Sequence, residues 1–414
     1  MRRLLLAASG AIALVAAGLG TATAQAAAPA AAAAAGSAVT TRAVCGTPAR
    51  GHASCFALQR TDAAAKTANQ RMASALSAAR AAGRAAAAST PSGLGPVQIQ
   101  SAYKLAGLKS GGTTVAIVDA YHDPSAAPDL AAYRSQYGLP ACGSGCFTQV
   151  NQSGGTGSYP SVDAGWAEEI SLDLDMVSAT CPDCKILLVE ANSSSIADLG
   201  AAVNTAARLG AKAISNSYGG SDLPDSSYGG PYNHPGIAIT ASSGDSGYGA
   251  QFPADSKYVT AVGGTSLRTA SNTRGWTETA WSGAGSGCSR YNTALAAASS
   301  SNTGCSRRAE ADVSAVADPA TGVAVYDTTV PSGDTPGWLV FGGTSASSPI
   351  IASVYALSGN TTGYANAIPY NNKGSLFDVT SGSNGHCSVK QLCTARTGWD
   401  GPTGLGTPNG VGAF

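Results

Sequence analysis

Charge is scarce in this chain. Of its 414 residues only 12% are Asp, Glu, Lys or Arg, and the formal net charge is zero. A nucleic-acid or anionic-membrane partner calls for a concentrated basic surface, so neither is expected. Histidine is scarcer still, limited to His52, His122, His234 and His386. None of them opens a helix after the first predicted strand, so a histidine general base has no candidate. Long apolar runs are confined to the N-terminus. There Leu4 to Leu19 follows Arg2 and Arg3, and small residues offer cleavage after Ala24 or Ala26. That pattern predicts a secretory leader over 1–26. No later stretch approaches the roughly 18 apolar residues of a membrane span. The expected mature protein is a secreted, extracellular monomer.

Glycine is abundant (52 residues) and 44% of the chain is hydrophobic, as in a compact, loop-rich fold. Residues 27–89 open with Ala-rich low complexity and continue as an Ala/Arg-rich helix candidate, a short pro-segment or spacer. From about residue 90 strand and helix patterns alternate. Strands are predicted at 114–118, 185–190, 211–217, 236–241 and 258–262, with helices at 128–137, 166–180 and 196–209. Such alternation predicts an α/β fold over 90–414, with a mostly parallel sheet and helices on both faces. Active residues then gather at the carboxyl ends of strands.

Ten cysteines fall into five local couples: Cys45 with Cys55, Cys142 with Cys146, Cys181 with Cys184, Cys288 with Cys305, and Cys387 with Cys393. Local disulfides suit a secreted chain, although sequence alone leaves connectivity open. A zinc or redox role for Cys181-Pro182-Asp183-Cys184 is disfavoured. No second couple stands at zinc-ribbon spacing, and the context is not thioredoxin-like.

Three segments carry chemistry. The first is Gly343-Thr344-Ser345-Ala346-Ser347-Ser348-Pro349, followed by the apolar run 350–357. The glycines give a permissive backbone and Pro349 suits a first helical turn. Ser345 is then near a helix N-terminus, where N–H groups favour a developing anion. The second is the helix pattern 166–177, in which Glu169 and Asp173 stand four apart on one face. A shared proton would let one carboxyl orient the other. Glu168 and Asp175 fall outside that row and fit a solvated acidic face. The third is Ser243-Gly244-Asp245-Ser246-Gly247, after a strand. A protonated Asp245 there could donate to an oxyanion, and an Asx turn is the alternative.

In this order the three segments resemble the sedolisin family of serine-carboxyl peptidases, in the subtilase clan. Arg308-Ala309-Glu310-Ala311-Asp312-Val313-Ser314-Ala315-Val316-Ala317-Asp318-Pro319 matches a further family stretch. The resemblance covers roughly residue 90 to the C-terminus. It implies a subtilisin-like fold and acid-active endopeptidase activity on polypeptides. It makes Ser345 the nucleophile, Glu169 the general base, Asp173 its partner and Asp245 the oxyanion acid. Asp119, ending the first strand, becomes an auxiliary carboxylate or a plain structural cap. Ser217-Tyr218-Gly219 resembles the clan's substrate-binding edge, where a peptide adds as a strand. The resemblance also implies one structural calcium, held by Asp378, Asp400 and the carbonyls of Val379, Arg396 and Gly398. Sedolisins usually carry a folded pro-domain well over twice the length of 27–89, and here the chain departs from the family. Two rival readings are a neutral subtilisin-like enzyme using Asp119 with a histidine, and an inactive binding protein on a protease scaffold.

Overall fold

The computed structural model of the chain describes residues 39–62, 65, 67, 70–72, 74, 90–360 and 362–414. The expected leader, the Ala-rich tract and most of 63–89 lie outside the described residues. Three short strands come first: β1 (Thr41–Ala43), β2 (Ser54–Cys55) and β3 (Leu58–Arg60). Then follow β4 (Thr114–Ala120), β5 (Phe147–Asn151), β6 (Lys185–Ala191), β7 (Ala213–Asn216), β8 (Tyr218–Ser221) and β9 (Ala238–Ser242). Next are β10 (Gln251–Phe252), β11 (Thr260–Thr269), β12 (Trp276–Ala280), β13 (Gly287–Cys288) and β14 (Ala309–Glu310). β15 (Val313–Val316), β16 (Val323–Asp327) and β17 (Gly337–Gly342) lead to the serine-bearing segment.

The main sheet runs β12-β11-β9-β7-β4-β6-β5, with β15 also on β11. Only the β11–β12 pair is antiparallel. β4 is a nearly unbroken apolar run whose residues from Val115 onward are buried, as a strand covered on both faces must be. Helix Thr344–Ser358 packs against β7, β9, β11 and β15 and against helix Ala164–Thr180. Helix Ile196–Arg208 covers β4 and β6 from the other side. The expected α/β architecture is therefore present. The expected strand 211–217 divides at Ser217: β7 stays in the main sheet, and β8 begins a small sheet of order β10-β8-β2. All five cysteine couples are disulfides. Among the described residues no helix is long and apolar enough to cross a membrane.

Residues 39–62, expected to be part of a pro-segment or spacer, are structured against the peptidase-like body. β1 pairs with β3, and β3 continues onto β17 and β16. Arg42 anchors this segment: its Nη2 lies 3.0 Å from Glu168 and 2.9 Å from Asp334.

Helix Ala164–Thr180 departs most from expectation. Asp163 caps it, accepting the Trp166 N–H at 3.0 Å. Every residue from Gly165 to Thr180 is buried, including all four carboxylates. Glu168 and Asp175 are thus not on a solvated face. Glu168 is paired with Arg42, and Asp175 accepts the Tyr326 N–H at 2.9 Å. The serine helix, helices Ala126–Gln136 and Pro96–Ala102, β4 and β16 pack around it, and Arg42 and Ala57 reach Glu168 and Glu169, so no face is left to water. A buried carboxylate needs a partner or a proton. The Arg308–Asp312 stretch follows the same rule: Arg308 is buried and grips both oxygens of Asp312, at 2.8 and 2.5 Å.

Burial raises many acids here. Glu168 is pushed up to about 7 despite Arg42, Asp123 to about 6, and Asp327 to about 8. The folded chain therefore holds more protons than the unfolded chain between the ordinary carboxylate range and about pH 8, so stability falls as pH rises through that window. A Ser345→Ala protein, which excludes self-digestion, is expected to melt higher at about pH 5 than at about pH 8. The opposite order of melting temperatures would show that these buried acids do not control stability.

Candidate active site

Ser345 is the second residue of helix Thr344–Ser358, so its hydroxyl stands at the positive end of the helix dipole. Gly343 precedes the helix at φ +95°. A Cβ there would collide with the Phe56 carbonyl oxygen and with Asp245 Oδ2, so both oxygens crowd one face of Gly343. Pro349, expected in the first turn, lies further inside because the helix starts at Thr344. Its missing N–H leaves the carbonyl four residues back, that of Ser345, without its helical donor. The Ser217 hydroxyl fills the gap at 3.3 Å and lies 2.8 Å from each Asp173 oxygen.

Glu169 and Asp173 share a helix face as the spacing predicts, and the Glu169 carboxyl raises the proton affinity of Asp173. Two carboxyls this close and out of water favour the state in which one carries a proton. Asp119, at the end of β4, adds a third acid whose two oxygens are buried with no hydrogen-bond partner among the described residues. Burial first, and the charge of Asp119 second, raise Glu169 and Asp173 well above the usual carboxylate range. Burial and Glu190 lift Asp119 itself to about 8. Asp119 thus belongs to the acidic cluster and caps nothing. Glu169 Oε2 accepts the Ala57 N–H at 2.9 Å, while Oε1 has no partner. The Ser345 hydroxyl donates to the Ser217 carbonyl at 3.1 Å, and as a hydrogen-bonding neighbour it also lowers the Glu169 pKa.

Asp245 is held at the start of the serine helix. Its Oδ1 accepts the Thr344 N–H at 2.8 Å and the Thr344 hydroxyl at 2.9 Å. Its Oδ2 is buried without a partner. Burial pushes this carboxyl up to about 7, with the Thr344 bonds opposing the rise. The protonated group would carry its hydrogen on the free Oδ2, beside the Phe56 carbonyl oxygen.

The Ser217–Gly219 edge works through backbone. The Ser217 side chain turns inward to Asp173, and Tyr218 is wholly buried with its hydroxyl 2.8 Å from Asn216. The backbones of Tyr218 and Gly219 pair with Cys55 and Ser54 of the chain itself. Phe56, Ala57 and Arg42 were not legible as site residues. Each histidine is engaged elsewhere: His52 with Ser194, His122 with Glu190 at 2.7 Å, and His234 with Asn204, while His386 is exposed. None is hydrogen-bonded to Asp119 or Ser345.

The C-terminal loops also converge. Asp378 Oδ2 accepts the Gly398 N–H at 2.9 Å, and Asp400 Oδ2 accepts the Arg396 N–H at 3.0 Å. Burial, with Asp378's charge as a lesser cause, lifts Asp400 to about 7 against its hydrogen bonds to Arg396 and Thr403. Arg396 does not need a left-handed backbone, and its guanidinium points to Gln391 at 3.0 Å, clear of the two acids. Two acids brought together on Gly-rich loops, with Asp378 raising the proton affinity of Asp400, suit a hard cation. Among the described residues no group of three or more His, Cys, Asp or Glu could hold a metal, so carbonyls would have to complete the shell.

A subtilase family model matches residues 138–367, which include Glu169, Asp173, Asp245 and Ser345. Kumamolisin from Bacillus sp. (strain MN-32) is 31% identical over 366 residues, covering 78% of this chain and 63% of that protein. Sedolisin from Pseudomonas sp. (strain 101) is 32% identical over 205 residues, 42% of this chain and 33% of that protein. The chain thus spans less than two thirds of the length of these relatives. The solved structure of Pseudomonas sedolisin with two molecules of pseudo-iodotyrostatin superposes with a TM-score of 0.65 at 26% identity, covering 78% of this chain and 96% of that one.

Amide replacements separate chemistry from packing at this site. Glu169→Gln can still accept the Ala57 N–H, and Asp173→Asn can still face Ser217. Each is expected to lower kcat on a peptide substrate by about 10²-fold or more while the melting temperature holds. Glu168→Gln should do the reverse: it weakens the Arg42 ion pair and leaves kcat close to wild type. Equal kcat losses in all three variants would break the link between the 169–173 row and Ser345.

Proposed function

This chain belongs to the subtilase family, in its sedolisin branch, and from that premise we propose that it is an acid-active serine-carboxyl endopeptidase. The carrying observation is a buried pair of carboxyls on one helix face beside Ser345, both raised well above the usual carboxylate range, with no histidine in reach. Ser345 attacks the scissile carbonyl, and Glu169 takes the hydroxyl proton. Asp173, fixed by Ser217, orients Glu169 and shares the displaced proton. Asp245, protonated, donates from Oδ2 to the oxyanion. Glu169 then returns the proton to the leaving amine, and water resolves the acyl-enzyme. Substrate adds as a strand along Tyr218–Gly219, so backbone hydrogen bonds give affinity for polypeptides of varied sequence. The leader pattern and five disulfides support a secreted protein.

Calcium is part of the same reading. The carboxylates of Asp378 and Asp400 and the carbonyls of Val379, Arg396 and Gly398 would hold one ion, which supplies structural cross-linking of the C-terminal loops. A native-only ligand stabilises by about 2.7 kcal/mol at a hundred times its Kd. Chelation at about pH 6 is therefore expected to lower the melting temperature of the Ser345→Ala protein, and Asp378→Ala should remove the response to chelator. An unchanged melt after verified metal removal would end the calcium reading.

The activity itself is tested by its pH profile. Asp245 must be protonated to donate, and it ionises at about 7. kcat/KM on denatured protein or a peptide is expected to be maximal in acid and to fall as pH rises through that value. Asp245→Asn keeps a non-titrating donor at the Oδ2 position, so its slower reaction should lack this alkaline limb. A wild-type kcat/KM still rising above about pH 7 would overturn the oxyanion role of Asp245.

A further inference from the structure

Asp119 and Glu190 are register partners on the neighbouring parallel strands β4 and β6, so their side chains leave the same face of the sheet. Both are wholly buried, but their surroundings are opposite. Glu190 has donors on both oxygens. Its Oε2 lies 2.7 Å from His122 Nδ1, and its Oε1 accepts the Asp123 N–H at 3.0 Å and the Gln149 amide at 2.8 Å. Asp119 has no donor on either oxygen among the described residues. A carboxylate that accepts several hydrogen bonds keeps its charge, and a buried one that accepts none takes a proton. Of this pair Glu190 is therefore the anion and Asp119 the acid.

His122 is placed to enforce that division. Its ring stacks on Tyr159, with 4.6 Å between centroids and 4° between planes, and the Tyr159 hydroxyl donates to the Gln149 carbonyl at 3.0 Å. The His122 N–H donates to the Ser161 carbonyl at 3.1 Å. The His122 side chain is 15% exposed while that of Glu190 is sealed, so the ring joins solvent to the buried acids. Facing Glu190 are His122, Asp123, Tyr159 and Asp119. Facing Asp119 are Glu190, Glu169, Asp173 and Tyr218. In this set His122 alone brings positive charge, and imidazole carries charge in acid, where the proposed reaction runs. Burial raises the Glu190 pKa, and the three donors with the His122 charge oppose the rise.

Resting on the proposed peptidase reading, we infer that His122 is a positioning residue of the reaction: seated on Glu190, it fixes that carboxyl as the anion, which keeps the proton on Asp119 and leaves Glu169 free to act as a base in acid. The catalytic pair needs such help. An ionised Asp119 raises the proton affinity of both Glu169 and Asp173, and a pair holding two protons has no base to offer. A protonated Asp119 sets no charge against them. Without His122, Glu190 takes up a proton at higher pH, Asp119 loses the anion that holds its own proton, and its charge moves onto the pair. Glu169 must lose a proton before it can accept that of Ser345, so the acid limb of kcat/KM then moves to higher pH.

Wild type, His122→Ala, Glu190→Gln and the double variant are assayed on one peptide substrate across the acid range. In His122→Ala the plateau kcat is expected within about threefold of wild type, with the acid limb of kcat/KM raised by about half a pH unit or more. In the Glu190→Gln background the same change should move the limb by less than about half as much, because the carboxyl it acts through is gone. His122→Gln, which can still donate to Glu190, should recover part of the shift. The linkage is also read without turnover: in Ser345→Ala protein, infrared absorption should show buried carboxyl groups holding protons to higher pH once His122→Ala is added. An unmoved acid limb in His122→Ala overturns the inference and spares the peptidase reading. An equal shift in both backgrounds overturns the route through Glu190. A kcat loss of about 10³-fold or more at every pH makes His122 the base and overturns both readings. If wild type hydrolyses no peptide the peptidase reading falls, and identical infrared titrations overturn the His122 linkage on their own.

Discussion

The site depends on keeping three carboxyl groups, Asp119, Glu169 and Asp173, out of water within one cluster. In the interior an unpaired carboxylate is so poorly solvated that it takes up a proton instead. Each neighbour's charge adds to that tendency, and among the described residues no arginine, lysine or histidine is a leading cause opposing it. A histidine base draws its basicity from a ring that titrates near neutrality. Here the same result comes from crowding acids until one of them holds its proton well above the ordinary carboxylate range. The helix that carries Glu169 and Asp173 is buried from Gly165 to Thr180, and that enclosure sustains the shift.

The cluster is tied to the nucleophile through a single hydroxyl. Pro349 deprives the Ser345 carbonyl of its helical donor, and Ser217 supplies one from the end of β7 while also facing Asp173. The Ser217 carbonyl holds the Ser345 hydroxyl in turn. One residue at the carboxyl end of a parallel strand thus fixes the serine, the second acid and the peptide entering the cleft. This explains why the strand expected over 211–217 had to divide at that residue: β7 ends where its backbone must turn outward to receive substrate.

Much of this was legible in the sequence because local spacing dictates it. Glu169 and Asp173 four apart on a helix must share a face, and Gly343-Thr344-Ser345 before an apolar run must open a helix. The order of β4, β6 and β7 follows from apolar runs separated by helices. What was not legible depends on contacts between distant segments. Glu168 and Asp175 read as solvated because helical periodicity cannot reveal that β16 and residues 39–62 close over that face. Arg42, 126 residues before Glu168, carries no local sign of its partner. The hairpin strand was missed for a similar reason. In residues 53–59 the buried positions are Ala53, Cys55, Ala57 and Gln59, while the large apolar Phe56 and Leu58 are only half-buried. This strand buries small residues and leaves its larger apolar ones half-exposed, so its alternation does not read as a core strand. Only the Cys45–Cys55 couple hinted at a restrained loop.

Asp245 shows how the same physics sets the site's readiness. A buried carboxyl oxygen without a partner is ordinarily a loss of about 1–3 kcal/mol. Oδ2 of Asp245 is left in that condition although Oδ1 is doubly bonded to Thr344. The asymmetry directs the proton to the oxygen that faces the reacting carbonyl. A neutral carbonyl satisfies that donor weakly, and an oxyanion satisfies it strongly, so the unmet bond in the resting state becomes a gain specific to the transition state. The Thr344 bonds keep the carboxyl from swinging to satisfy itself elsewhere, and Thr344 is the first residue of the helix that carries Ser345. Nucleophile and oxyanion donor therefore move as one body, and the distance between them is set by the helix start and not by a flexible loop.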